Sequence, residues 1–166
     1  RLLVETLSFL DQTTEIDLQL TTDTNIYASG DVMVVTVAVP VLSTTQNVKN
    51  LRLRIDQMSI IDKDIQNGAF DVVFLDANKS LGTLNAAVSI SDADALSIVK
   101  TVSVSASNYT TLTPAGSSIA NVEFNPIYIT STDRNLYIGL ISRDAKTYTA
   151  SGLYLRLGVC VLNQDL

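Results

Sequence analysis

The sequence contains no histidine and no tryptophan, and only one cysteine, two methionines and three prolines among 166 residues. Without an imidazole there can be no His-dependent triad, His-ligated zinc or His general base. The lone Cys160 excludes an intrachain disulfide and a multi-thiolate metal site. Glutamate is scarce too, with three residues against fourteen aspartates. No stretch approaches the ~18 uninterrupted apolar residues of a membrane span. The nearest, residues 31–42, begins with Asp31 and contains Pro40. Glycine-rich phosphate loops are absent.

What is present points to sheet. Valine, isoleucine and threonine supply 48 of the 166 residues, and β-branched side chains suit a pleated surface. The length fits one domain, or one domain with an arm, and a chain of this size buries roughly 70% of its unfolded surface without needing a disulfide or metal. The net charge is −6 with 17% charged residues. No basic stripe exists to neutralise phosphates or to meet an anionic bilayer, so neither nucleic acid nor membrane is an expected partner.

Residues 1–13 differ from the rest. Leu3, Leu7 and Leu10 have helical spacing, Val4 to Leu7 would equally suit a strand, and Phe9 adds apolar area. They read as an N-terminal arm that needs a partner surface, ahead of a β-sandwich domain over 14–166. From Thr14 the period becomes two, with Ile16, Leu18 and Leu20 on one face. Val32 to Leu42 predicts a long apolar strand, with Pro40 marking an edge or bulge near its end. Leu51 to Met58 is the cleanest amphipathic strand: Leu51, Leu53 and Ile55 face in, and Arg52, Arg54 and Asp56 face out. Further strands are predicted over 70–75, 99–104, 119–129, 135–142 and 152–162. Ser91 followed by Asp94 is a capping-box spacing and predicts a short helix over 91–98. Eight or so strands with one short helix make an all-β fold, a β-sandwich with the jelly roll as its expected variant.

Carboxylates are the only abundant reactive groups. Asp62, Asp64, Asn67 and Gly68 faintly resemble a calcium loop, but Lys63 intrudes and no Glu closes it; a solvated turn is the expectation. Cys160 reads as a small core residue. Arg52 and Arg54, on one strand face, are either edge charges that discourage aberrant pairing or ion-pair partners for an acidic patch on a neighbouring subunit. No cofactor and no metal are expected.

Five pieces then read together in order: Tyr27-Ala28-Ser29-Gly30-Asp31, Phe74-Leu75-Asp76-Ala77-Asn78, the run from Asn85-Ala86-Ala87 through Ile90-Ser91-Asp92-Ala93-Asp94 to Leu96, Asn135-Leu136-Tyr137, and Tyr148 to Leu153. In that order they resemble the capsid decoration (auxiliary or cement) proteins of tailed bacteriophages, over roughly Thr14 to Leu166. In that group Asp commonly precedes Asn-Ala-Ala, where Leu84 stands here, and an aromatic often follows, where Val88 stands. The resemblance implies a non-enzymatic virion protein, made in the host cytoplasm, that binds the outside of the capsid shell and strengthens it. Its partner would be the major capsid protein, and it would act as a homo-oligomer, with a trimer expected. Candidate contact residues are Leu3, Leu7, Phe9 and Leu10 of the arm, Arg52 and Arg54, and the loops 43–50, 62–68 and 105–118. The rival expectation is a receptor- or glycan-binding β-sandwich of a head fibre or tail component, which predicts an exposed tyrosine cluster or a calcium site. A carboxylate hydrolase would instead need two acids facing each other across a cleft.

Overall fold

The computed structural model describes residues 13–41, 50–112 and 116–165. The arm residues Leu3, Leu7, Phe9 and Leu10, nearly all of loop 43–50 and part of loop 105–118 lie outside them. Ten strands are described: β1 Thr13–Leu20, β2 Val32–Pro40, β3 Asn50–Asp62, β4 Phe70–Leu75, β5 Ile98–Val104, β6 Tyr109–Thr111, β7 Ser118–Val122, β8 Ile127–Ser131, β9 Asn135–Ser142 and β10 Leu153–Asp165. One helical turn, α1 (Asp92–Ala95), and a 3-10 turn, Ala106–Asn108, complete the elements.

The strands form two antiparallel sheets, one of six strands in the order β1-β10-β3-β7-β6 with β8 also on β3, the other of four in the order β2-β9-β4-β5. β7 and β8 lie end to end along one edge of β3, facing Met58–Asp62 and Leu51–Ile55 respectively. Counted as one interrupted strand, they complete a nested pairing: first with last, second with next to last, inward to the β4–β5 pair. That nesting, split alternately between two sheets, is a jelly roll. The protein is an all-β sandwich.

Alternation explains the core. Leu18, Leu155, Ile60 and Ala120 stand in register across the first sheet, and Val34, Leu140, Val72 and Val102 across the second. Both rows face the space between the sheets and belong to one apolar cluster. Truncating a fully buried leucine here to alanine costs about 2–5 kcal/mol.

A second, smaller core lies on the far side of the four-stranded sheet. Segment 76–97 folds back over it and packs Leu81, Val88 and Ile90 against Val32, Val73, Leu75 and Tyr137. Backbone bonds fix the cover to β2 and the turn before it: Val32 N–H donates to Ala86 O (2.8 Å), Asn85 N–H to Val32 O (2.9 Å) and Val88 N–H to Gly30 O (3.0 Å). Gly139 makes room, since a Cβ there would stand 2.5 Å from Leu81 Cδ1.

Three expectations shift. Residues 119–129 are two strands, because the chain leaves the ladder at 123–126, where Pro126 lacks a donor. The helix over 91–98 is a single turn. Ser91 Oγ does cap it, accepting Asp94 N–H at 3.1 Å, but Leu96 is 86% exposed and Ile98 already belongs to β5. Thr13 belongs to β1 rather than to the arm.

Candidate functional site

Four connections meet at one end of the sandwich: β1–β2, β3–β4, the segment after β5, and β9–β10. The β1–β2 connection is tied to β9–β10 by Thr22 Oγ1, which donates to Thr149 O at 2.8 Å, and carboxylates join β3–β4 to β9–β10. Asp62, the last residue of β3, is fully buried, not in a solvated turn. Its oxygens accept the amides of Asp64 (2.9 Å) and Asn67 (2.8 Å). Burial raises its pKa above the ordinary aspartate value, partly opposed by backbone bonds from Asn67, Asp64 and Gln66. Asn67 Oδ1 in turn accepts from the buried Ser118 hydroxyl at 2.5 Å.

Asp64 reaches the β9–β10 connection, accepting Thr149 N–H at 2.7 Å and the Thr149 hydroxyl at 3.0 Å. Asp144 accepts Ala69 N–H at 3.0 Å. Tyr109 donates to Gly68 O at 3.1 Å. A Cβ on Gly68 would collide with the Tyr148 hydroxyl, so only glycine fits. That hydroxyl is buried with no hydrogen-bond partner among the described residues. Burial, with Asp62 and Asp144 nearby, pushes its pKa well up, against a small opposing effect of the Gly68 amide. These carboxylates serve backbone donors of irregular loops, which would otherwise be costly to bury. Among the described residues, no group of three or more Cys, Asp or Glu is placed to hold a metal ion.

The predicted arginines lie on the outer face of the six-stranded sheet. Arg54 pairs with Asp56, two residues on, at 2.8 Å. Arg52 stands over the Tyr128 ring, 5.9 Å from its centroid. Arg156 binds Asp17 across the β1–β10 rung through Nε (2.6 Å) and a second nitrogen (3.1 Å), and reaches Glu15 at 3.1 Å. The Arg156 hydrogen bond holds the Asp17 pKa below its usual value. On the other sheet Arg143 binds Asp71 at 2.6 Å, and Ser103 donates to the same carboxylate at 2.7 Å. Arg54, Arg143 and Arg156 are therefore satisfied within the chain. Arg52 is the exposed one of the predicted pair, its positive head against an aromatic face.

The structure brings Arg52 and Arg54 together on one face. Sequence reasoning missed Tyr128, which pairs with Arg54 from β8, and the loop-tying role of Asp62 and Asp64. The only sequence signal for the latter was the Asp-x-Asp spacing, with Gly68 and Gly152 set to admit close neighbours. Cys160 is a buried free thiol. No helix among the described residues is long and apolar enough to cross a membrane. No protein-family model matches the chain, and no curated protein matches its sequence.

Proposed function

We propose that this chain is a virion structural protein, a decoration protein that binds the outside of a tailed-bacteriophage capsid and stabilises the shell. The observation that carries the reading is spatial. Four of the five sequence pieces that resemble decoration proteins lie far apart along the chain but meet around the second core. Gly30, from the first piece, bonds Val88 of the third. Leu75 of the second and Tyr137 of the fourth share the second core with Val88 and Ile90. Tyr27 N–H donates to Lys146 O, just ahead of the last piece. Scattered residues that build one unit support a common origin for the pattern better than five unconnected likenesses would. The jelly roll agrees at fold level only, since capsid and lectin domains both use it.

On this reading the arm residues Leu3, Leu7, Phe9 and Leu10 supply apolar contact to the major capsid protein. Arg52 supplies charge, and Arg54 helps hold the surface on which Arg52 stands. An arm ordered on its partner loses conformational entropy, so it binds where many contacts form together. Several copies on one shell, as a trimer or other homo-oligomer, add multivalency.

The test is to mix purified protein with undecorated capsids, image the particles and measure their rupture on heating. Added density on the outer surface with a higher rupture temperature is the expected result; bare capsids with unchanged rupture overturn the reading. The receptor- or glycan-binding rival predicts an exposed tyrosine cluster or a calcium site; of the six tyrosines Tyr27, Tyr137 and Tyr148 are buried, Tyr109 and Tyr154 half-buried and Tyr128 exposed.

A further inference from the structure

β3 is broken on both sides at one place. Its ladder with β10 skips Asp56, passing from the Ile55–Val159 pair to the Gln57–Gly158 pair. On its other side, pairing with β8 ends at Ile55 and pairing with β7 begins at Met58. Asp56 and Gln57 thus have no ladder partner on that side, and neither do residues 123–126 facing them. Bulges of this kind re-aim side chains and are over-represented beside binding sites.

At the break lies a surface groove of about 600 Å³, lined by Asp56, Gln57, Ser59, Asn121, Glu123 and Phe124, with Met58 and Val122 also in its lining. Its volume falls in the range of small-molecule sites. Met58, Val122 and Phe124 pack on the main core, so the floor is held by the sandwich itself. The walls carry two carboxylates, two amides and a hydroxyl.

We infer that this groove binds a neutral carbohydrate. Vicinal hydroxyls both donate and accept, and they match the paired functions of Gln57, the amide hydrogens of Asn121, whose Oδ1 already accepts from the Ser59 hydroxyl at 3.1 Å, and the acceptor oxygens of Glu123. The C–H face of a pyranose suits the exposed part of Phe124. Main-chain groups of Asp56 and Gln57, which have no ladder partner on the β7–β8 side, can add donors and acceptors. The Asp56 charge is already matched by Arg54 at 2.8 Å. Glu123 has no partner among the described residues, so its two oxygens are free to accept from sugar hydroxyls; a basic group would be drawn to the same carboxylate, and a basic tripeptide is therefore the competing probe. An anionic ligand is opposed by Glu123 and by the net charge of −6. The inference does not rest on capsid binding; a shell-bound protein and a free one would present the same groove.

The experiment is amide NMR titration of the full chain with maltotriose, cellotriose, chitotriose and mannotriose, and with a Lys-Arg-Lys tripeptide as the competing probe. At least one trisaccharide is expected to bind with a Kd of about 1 mM or tighter, with shifts centred on Gln57, Ser59 and residues 121–124. Asn121→Ala and Glu123→Ala, both at exposed positions, should keep the folded spectrum and weaken binding at least about tenfold, a loss of roughly 1.4 kcal/mol. Phe124→Leu keeps the apolar packing and should weaken binding as well. Three outcomes overturn the inference: no trisaccharide shifts these amides at about 10 mM, only the tripeptide binds, or affinity is unchanged in Asn121→Ala and Glu123→Ala.

Discussion

Asp64 and Thr149 stand 85 positions apart in sequence, yet the Asp64 carboxylate accepts both the backbone amide and the hydroxyl of Thr149. The contact joins the β3–β4 connection to the β9–β10 connection. Asp64→Ala leaves two donors to water and is expected to destabilise by about 1 kcal/mol. Thr149→Val removes the hydroxyl bond alone and should cost less. Equilibrium urea unfolding checks both, and equal losses would contradict this division.

Asp62 gives a pH signature of unusual sign. Its folded pKa lies above the ordinary value because of burial. The folded state therefore holds this proton more tightly than the unfolded chain, and the group's contribution is full below the unfolded pKa and lost as pH rises through the folded one. Asp17 and Asp94 behave oppositely: the bonds from Arg156 and Lys79 lower their pKa values, so their contributions are present above the unfolded pKa and lost as pH falls. Asp62→Asn, which keeps one acceptor oxygen, should gain stability relative to the native protein as pH rises from about 4. Urea unfolding at a series of pH values measures the difference, and a gap that stays constant with pH would show that Asp62 does not titrate in this range.

Gly139→Ala forces a methyl onto Leu81 Cδ1 and approaches Val34 O at 3.4 Å. Overpacking of this kind costs about 1–3 kcal/mol. Leu81→Ala alone should cost about 2–5 kcal/mol by leaving a cavity. The double variant should lose clearly less than the sum, since each change relieves the other. A double-mutant cycle by denaturant unfolding reads the coupling, and strict additivity would contradict the close approach.

Leu96 is 86% exposed although it lies in the same covering segment as Leu81. Leu96→Ser is expected to shift stability by no more than about 0.5 kcal/mol. A larger loss in thermal melts would mean that Leu96 is covered in solution.

Arg52 and Arg54 should separate in shell binding. Arg54 is already paired with Asp56, whereas Arg52 faces solvent over Tyr128. Arg52→Glu is expected to slow association with capsids, with an effect that shrinks as salt rises; Arg54→Ala should change the rate less. Surface plasmon resonance on immobilised capsids at two ionic strengths distinguishes them.

Much of the fold was legible because alternation is local. Leu51, Leu53 and Ile55 turn inward as their spacing requires, and Ser91 caps its helical turn as its spacing to Asp94 implies. The break between β7 and β8 was hidden because apolar residues continue on both sides of it. Pro126 was the one local mark that the ladder could not run through. Leu96 and Ile98 look like one apolar face of a longer helix, yet β5 begins at Ile98. Polar neighbours make Asp62 look solvated in the sequence. Polarity records what a residue prefers, not where its carboxylate points, and here it turns back to its own loop. The Asp64–Thr149 bond and the groove at Asp56 come from chain segments far apart in sequence, and no window of local sequence contains them.

Thr13 stands opposite Cys160, and β10 runs on from there to Asp165. The strand that begins the described residues and the strand that ends them are therefore hydrogen-bonded neighbours, and Thr13 and Asp165 lie toward the pole opposite the loops around Asp62. The chain thus enters and leaves the described sandwich at one pole, so a pull applied through Thr13 and Asp165 would be taken by two adjacent strands rather than passed across both sheets.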